Sequence, residues 1–295
     1  MPLTIALVAC FLDEETHLPR FLASLAAQTR PPDRVLLVDD GSADASPRLA
    51  DEFAARHPHA TALRRPRRAA ARDRLASAPE LQAFQWAVAQ LDGAYDVIAK
   101  VDADLDLAPG LVAGLEDAFA SDPRLGLAGV VLHSAGPDGV LRRERVPDYH
   151  VRGATKFYRR ACLEQIAPVP AILGWDTIDE VHARRLGWAT RSLELPGPPT
   201  IHLRPPGAHD GVARGYRRWG ECAWAYGAHP LNVVAGGVHR MRRPPYVLGG
   251  LHYLAGYGLA AARGVPRAPA PGRAFCRAEQ RARARRAVAT RIGVA

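Results

Sequence analysis

Apolar and polar positions alternate in blocks along the first two thirds of the chain. Residues 3–9, LTIALVA, are almost continuously apolar, the pattern of a strand covered on both faces. Leu18, Phe21, Leu22 and Leu25 then recur at helical spacing, which predicts an amphipathic helix with Pro19 in its first turn. A second strand is expected over 35–38, ending in the acidic turn DDGS, with a helix near 47–56 and a short strand over 61–63. The alternation continues with a helix over 79–91, a strand over 96–101, a helix over 110–120 and a strand over 125–133. The Pro-Asp-Gly turn at 137–139 implies a hairpin or loop. Residues 151–158, helices near 160–166 and over 177–186, and a strand over 188–193 complete the core. Strand-helix alternation of this kind predicts an α/β fold, a parallel or mixed sheet flanked by helices on both faces.

The pattern changes after LPGPPT, residues 195–200, so residues 1–200 are expected to form the main domain and 201–295 a helical, Arg-rich appendage. In that appendage Tyr216, Trp219, Ala223 and Tyr226 fall on one helical stripe with arginines beside it. The stripe suits either docking on the core or lying at an anionic membrane surface. Residues 244–262, PPYVLGGLHYLAGYGLAAA, are uncharged and flanked by Arg242, Arg243 and Arg263. Their length is close to a spanning minimum, but the many glycines and His252 favour interfacial docking or plain packing over a transmembrane helix. A Pro/Ala linker at 265–272 leads into the Arg-rich helix CRAEQRARARRAVATR.

Hydrophobic residues make up 48% of the 295 and charged residues 23%, ordinary values for a globular chain and far from those of a disordered one. The net charge of +9 is carried almost wholly by arginine, since Lys100 and Lys156 are the only lysines. Such a balance suits phosphorylated ligands, anionic lipid or nucleic acid alike. Cys10, Cys162, Cys222 and Cys276 are far apart with no CxxC pair, which argues against a zinc knuckle or disulfide framework and for a reduced, cytoplasmic setting. The opening run lacks a basic leader and ends in acids, the mark of a buried strand more than of a signal peptide.

Against this basic background two acidic clusters stand at strand ends, VDDGS at 38–42 and VDADLD at 101–106. Ligands of open α/β sheets gather there, so both clusters belong to one expected crevice. In an extended segment Asp102, Asp104 and Asp106 project the same way and repel unless a cation lies between them. The chain has no GxGxxG after its first strand and no P-loop. An EF-hand starting at Asp102 fails as well, with Leu107 where Gly belongs and Ala113 where Glu belongs. What is left is an acid pair able to hold a hard divalent ion whose remaining ligands come from a diphosphate.

Four segments in order, DEETHLPRFLASLAAQ, VLLVDDGSADAS, VIAKVDADLDLAPG and GWDTIDEVHARRLGW, carry a resemblance to family 2 glycosyltransferases of the GT-A fold, over about residues 3–195. The resemblance implies a Rossmann-like mixed sheet and a metal-dependent inverting transfer, with Mn2+ or Mg2+, from a nucleotide-sugar donor. The implied acceptor is a hydroxyl of a glycan or lipid-linked sugar. The implied setting is polysaccharide biosynthesis in the cytoplasm or at the inner membrane face, with no nucleic-acid partner.

Residue by residue, it places Asp39 on the base or ribose and Asp13 at the rim of that pocket. Asp102 is turned toward the ribose or the metal, and Asp104 is on the metal. His202 would complete the metal shell, as a late histidine does in some relatives. GWDTIDE stands where the family carries its catalytic Glu-Asp pair. Trp175 replaces the glutamate, which leaves Asp176 or Asp179 as general base. The reading favours Asp176, with Asp179 and Glu180 one helical turn along to orient it.

Plainer roles stand beside these. Asp39, Asp40, Gly41 and Ser42 suit a turn and helix cap, and Asp176 suits an N-cap. Trp175 and Trp188 can stack on a sugar or simply pack. The arginines of 64–74 can hold a diphosphate or form a solvated face. Two other functions share these features: a sugar-phosphate nucleotidyltransferase, and a non-catalytic scaffold of polysaccharide assembly.

Overall fold

The computed structural model describes residues 2–66, 74–93, 95–136, 138–204, 211–242 and 244–291. The chain divides into two compact units. The first comprises Met1–Arg74, Ala78–Pro168 and Leu186–Pro205. It contains β1 (Ile5–Phe11), α1 (Leu18–Ala26), β2 (Arg34–Asp39), α2 (Ser46–Arg56), β3 (Ala60–Arg64), α3 (Pro79–Val88), β4 (Val97–Asp102) and β5 (Leu105–Asp106). It continues with α4 (Leu111–Ser121), β6 (Leu125–Val130), β7 (Leu132–Ala135), β8 (Leu141–Arg143), β9 (Thr155–Arg159), α5 (Arg160–Ile166), β10 (Ala189–Leu193) and β11 (Thr200–His202).

Seven strands form the main sheet in the order β10-β6-β9-β4-β1-β2-β3. Only β9 runs antiparallel to its neighbours, so the sheet is mixed, as the strand-helix alternation predicts. Period-two alternation sorts its side chains. Ile5, Leu7, Ala9 and Phe11 of β1 join a core with Phe21 and Leu25 of α1 and Leu111, Leu115 and Phe119 of α4. The other face carries Tyr158, whose ring stacks on Phe84 of α3 with centroids 5.9 Å apart. Lys100 and Lys156 lie on that same face, directly opposite each other in the β4–β9 register and both fully buried.

One expectation needs correction. The apolar run 125–133 is two strands, because after Val131 donates its N–H to Leu193 the chain leaves the main sheet. Leu132 then pairs with Thr200 in a second sheet of order β5-β11-β7-β8. Burial runs unbroken from Leu125 through Leu132, across the end of the first strand and into the second, so hydrophobicity alone gives no break.

The second unit comprises Leu75–Ser77, Val169–Arg185 and Pro206–Ala295. Its helices are α6 (Trp175–Arg185), α7 (Val212–Ala225), α8 (Pro230–Arg240), α9 (Leu248–Ala262) and α10 (Ala270–Arg291). The glycines of 244–262 have a packing purpose. A Cβ on Gly256 of α9 would lie 1.9 Å from the Arg217 carbonyl oxygen of α7, and one on Gly220 of α7 would lie 1.9 Å from that of Tyr253. The two backbones therefore touch, and Tyr216 lies over Gly249. Of the stripe at Tyr216, Trp219, Ala223 and Tyr226, Tyr216 lies against Gly249, and Ala223 and Tyr226 pack in one apolar cluster with Tyr253, while Trp219 stays 45% exposed.

The close approach is testable. Gly256→Ala is expected to lower the denaturant midpoint by an amount equivalent to about 1–3 kcal/mol, since backbone cannot give way as a side chain does. Gly258, on the same helix, has nothing within 4 Å of its would-be Cβ. Gly258→Ala should leave stability unchanged or raise it by about 0.5–1 kcal/mol through helix propensity.

Candidate functional site

Parallel register aligns the carboxyl ends of three strands. Phe11 of β1 stands opposite Asp39 of β2, and Cys10 stands opposite Asp102 of β4. Two predicted acids thus flank the end of β1 in the first unit.

The β2 end is tightly tied. Asp39 is 5% exposed and its Oδ1 accepts the Ser42 N–H at 2.8 Å, closing the DDGS turn. Asp13 sits at φ 53°, a left-handed conformation Asp tolerates better than most residues. It accepts the Ala43 N–H at 2.7 Å and donates its own to Ser42 Oγ at 2.9 Å. Asp13 is exposed, so the carboxylate that holds the loop also lines its outer edge. Asp40 is bound by Arg65 at 2.5 Å, both side chains nearly buried. Of the basic run at 64–74, Arg65 is thus spent on Asp40 and Arg64 pairs with Asp51, while 67–73 lie outside the described residues.

The β4 end is built differently. Lys100, two residues before Asp102 and on the same face, ion-pairs with Asp102 Oδ1 and donates to the Gly153 carbonyl at 2.9 Å. Burial raises the Asp102 carboxyl above its usual range even with Lys100 beside it. The chain then turns, and β5 pairs antiparallel with β11, bringing His202 opposite Leu105. Leu203 N–H bonds the Asp104 carbonyl at 2.9 Å, which fixes this corner.

His202 Nε2 consequently faces Asp104 Oδ1 at 3.6 Å, too far for a hydrogen bond. That oxygen is buried and accepts no hydrogen bond among the described residues. Arg204 Nη1 lies 3.8 Å from the other carboxylate oxygen, and Arg204 also binds Glu14 at 2.6 Å. The second ring nitrogen of His202, Nδ1, is 3.3 Å from Glu144, which Arg152 holds at 2.8 Å. Burial works against charge at all three groups, yet their mutual attraction wins. Asp104 and Glu144 are held below the usual carboxylate range, and His202 is raised to about 9.

Asp106, the third acid of the cluster, is turned away onto Arg20 at 2.7 Å. Among the described residues no group of three His, Cys, Asp or Glu side chains is gathered as a ready metal site. Asp104 and His202 form a facing pair, with Asp102 engaged by its lysine.

Glu144, Arg152, Arg204, Glu14 and Lys100 were not picked out as site residues by the sequence reading. For Arg204 a signal existed, since His202 and Arg204 share a side in an extended segment. Glu144 is 58 residues from His202 and sits in no periodic segment.

In the second unit Asp176 occupies the first turn of α6 after Gly174 at φ 78°. Its side chain is half-buried, whereas Asp179 and Glu180 are fully enclosed. Asp179 Oδ1 accepts the Glu180 N–H at 2.6 Å. Glu180 meets Arg184 at 3.3 Å, and Arg184 reaches Glu279 of α10 at 2.8 Å. Trp175 is buried in the second unit, and in the first Trp188 donates its indole N–H to Gln165 at 3.0 Å.

Solved structures of glycosyltransferases share the fold. A mannosyltransferase from Pyrobaculum calidifontis, in complex with GDP-Man and Mn2+, aligns over 98% of this chain and 81% of its own, with a TM-score of 0.57 and 17% identity. Glucosyl-3-phosphoglycerate synthase from Mycobacterium tuberculosis, with Mn2+, UDP and glucosyl-3-phosphoglycerate, aligns over 74% and 78% at TM-score 0.51 and 17% identity. S. aureus TarS with UDP aligns over 73% of this chain and 64% of its own, at TM-score 0.51 and 16% identity. No curated protein sequence matches the chain. The profile of glycosyl transferase family 2 matches residues 6–169, from the first strand past both acidic clusters. The seven-stranded mixed sheet and that match together assign the chain to glycosyl transferase family 2, with the GT-A fold.

Proposed function

We propose that the protein is a metal-dependent inverting glycosyltransferase that moves a sugar from a nucleotide-sugar donor to a hydroxyl of a glycan or lipid-linked acceptor, with Asp176 as general base. The observation that carries the proposal is the buried Asp104 Oδ1, without a hydrogen bond and 3.6 Å from the imidazole Nε2 of His202. Carboxylate oxygen and imidazole nitrogen are both donors for a divalent ion, and the mixed set suits Mn2+ better than the oxygen-seeking Mg2+. Glu144 on Nδ1 supplies the outer carboxylate that orients a ligating histidine. Two protein ligands leave coordination open for the phosphate oxygens of a donor. The mannosyltransferase and the synthase named above are solved with Mn2+ and a GDP-sugar or UDP, which supports the same donor class here.

When bound, the cation neutralises charge building on the departing diphosphate. The chain's own residues supply the rest. Asp39, fixed by the DDGS turn, offers its remaining carboxylate oxygen to the base or ribose, with Asp13 at the rim. Asp102, steadied by Lys100, faces the ribose or the cation. Arg204, beside Asp104, adds positive charge where the diphosphate leaves. Asp176 takes the proton of the attacking hydroxyl, and a hydroxyl that attacks opposite the leaving group inverts the configuration. Its partial exposure lets an acceptor reach it, which buried Asp179 does not allow. Asp179 and Glu180 then serve to hold α6 and orient Asp176.

Thermal shift with UDP-, GDP-, dTDP- and CDP-sugars, each with and without Mn2+ or Mg2+, tests the donor and the metal together. At least one nucleotide sugar should stabilise the fold only when metal is present, by about 2.7 kcal/mol at a hundredfold excess over Kd. No stabilisation by any of them would overturn the proposal. Release of pyrophosphate from a nucleoside triphosphate would replace it with the nucleotidyltransferase reading.

A further inference from the structure

We infer that the outer surface of α8 and α9 docks on an anionic lipid bilayer. Helix α9 contains no Asp, Glu, Lys or Arg in its 15 residues. One side, with Gly249, Gly250, Tyr253 and Gly256, packs inward against α7 and α8. The other side keeps Leu248 and Leu251 at 55% and 49% exposure. A helix that is apolar all round is ordinarily enclosed by protein or lipid, and this one is enclosed on one side only.

The surface extends beyond α9. A Cβ on Gly237 of α8 would meet the Leu254 side chain at 2.8 Å, and one on Gly250 would meet the Gly237 carbonyl at 2.4 Å, so the two helices lie against each other. On the outer side of α8, Leu231 is 74% exposed and Val234 54%, and in the turn between the helices Tyr246 is 66% exposed. Exposed apolar residues gathered on two packed helices and the turn that joins them mark a contact surface.

Length and charge choose the partner. Fifteen residues of helix extend about 22 Å, short of the roughly 30 Å hydrocarbon core. Among the described residues no helix is long and apolar enough to cross a membrane. The surface therefore lies flat in the interface instead of spanning it. Residues 211–263 hold seven arginines against one acid, Glu221, and exposed Arg242 and Arg263 stand just beyond either end of the α9 segment. A second copy of the chain would bring two cationic rims together, whereas anionic headgroups neutralise them. This reading of the helical unit goes beyond the donor chemistry, and its test does not depend on it.

The experiment is sedimentation of the full chain with phosphatidylcholine vesicles, with and without phosphatidylglycerol. The protein should pellet with the mixed vesicles, not with phosphatidylcholine alone, and added salt should weaken the binding. The double variant Leu248→Glu/Leu251→Glu should partition more than about tenfold less, because two apolar anchors become charges. The variant should melt at the wild-type temperature, since both side chains are exposed. Failure of the wild type to pellet with mixed vesicles would overturn the inference, as would equal binding by a folded double variant. A solution dimer that the same two substitutions dissociate would overturn it too, by giving the surface to a second copy.

Discussion

Asp104→Asn should lower kcat/KM for sugar transfer by about 10³-fold while the protein stays folded, making it the most damaging single change in the first unit. The reason lies in the unspent acceptor at that position. Asp104 Oδ1 is buried and makes no hydrogen bond among the described residues, an arrangement that costs stability unless a ligand repays it. Asparagine keeps the shape and removes the charge, so the loss reads as a missing cation and not as a cavity. Metal titration should move in parallel, with the variant needing far more Mn2+ for half-maximal rate. Glu144→Gln should do less, weakening metal affinity about 10- to 100-fold with kcat recovered at saturating metal, because Glu144 touches only the outer nitrogen of His202. Asp102→Asn should fall between the two, since Lys100 already takes one of its oxygens. An Asp104→Asn enzyme that keeps more than about a tenth of its rate would remove the metal from the proposal, because a factor of ten is only about 1.4 kcal/mol of transition-state stabilisation.

The contrast among these residues shows how far local sequence reaches. Strands β1, β2 and β4 were legible because each is an apolar run ending in a turn, and the acids at their ends follow from the strand ends. The two-residue spacing of Lys100 and Asp102 puts both on one face by geometry alone. The tie between His202 and Glu144 has no such trace. It depends on β11 joining β5 and β7 in a sheet formed by segments almost a hundred residues apart in the chain. The same non-local pairing divides the apolar run at 125–133, where burial continues through Leu132 although the strand does not. The stripe on α7 was ambiguous for another reason. Periodicity shows that a face is apolar and is silent on what covers it: Gly249 and Tyr253 of α9 cover Tyr216 and Ala223, while Trp219 of the same stripe stays exposed.

Asp176→Asn should reduce kcat by about 10²–10⁴-fold and leave donor binding intact, the signature of a lost proton acceptor. Thermal stabilisation by the nucleotide sugar with metal should therefore match the wild type, whereas Asp104→Asn should lose it. This difference separates the two carboxylates by role without requiring any knowledge of the acceptor's identity. Asp179→Asn provides the decisive comparison. Asp179 is fully buried and accepts the Glu180 N–H, and Glu180 in turn is linked through Arg184 to Glu279. Changing it should show first as a lower melting temperature, with the surviving folded enzyme keeping most of its rate. If Asp179→Asn instead stops turnover at unchanged stability while Asp176→Asn stays active, the base is Asp179, and the half-exposed Asp176 is a cap on the first turn of α6.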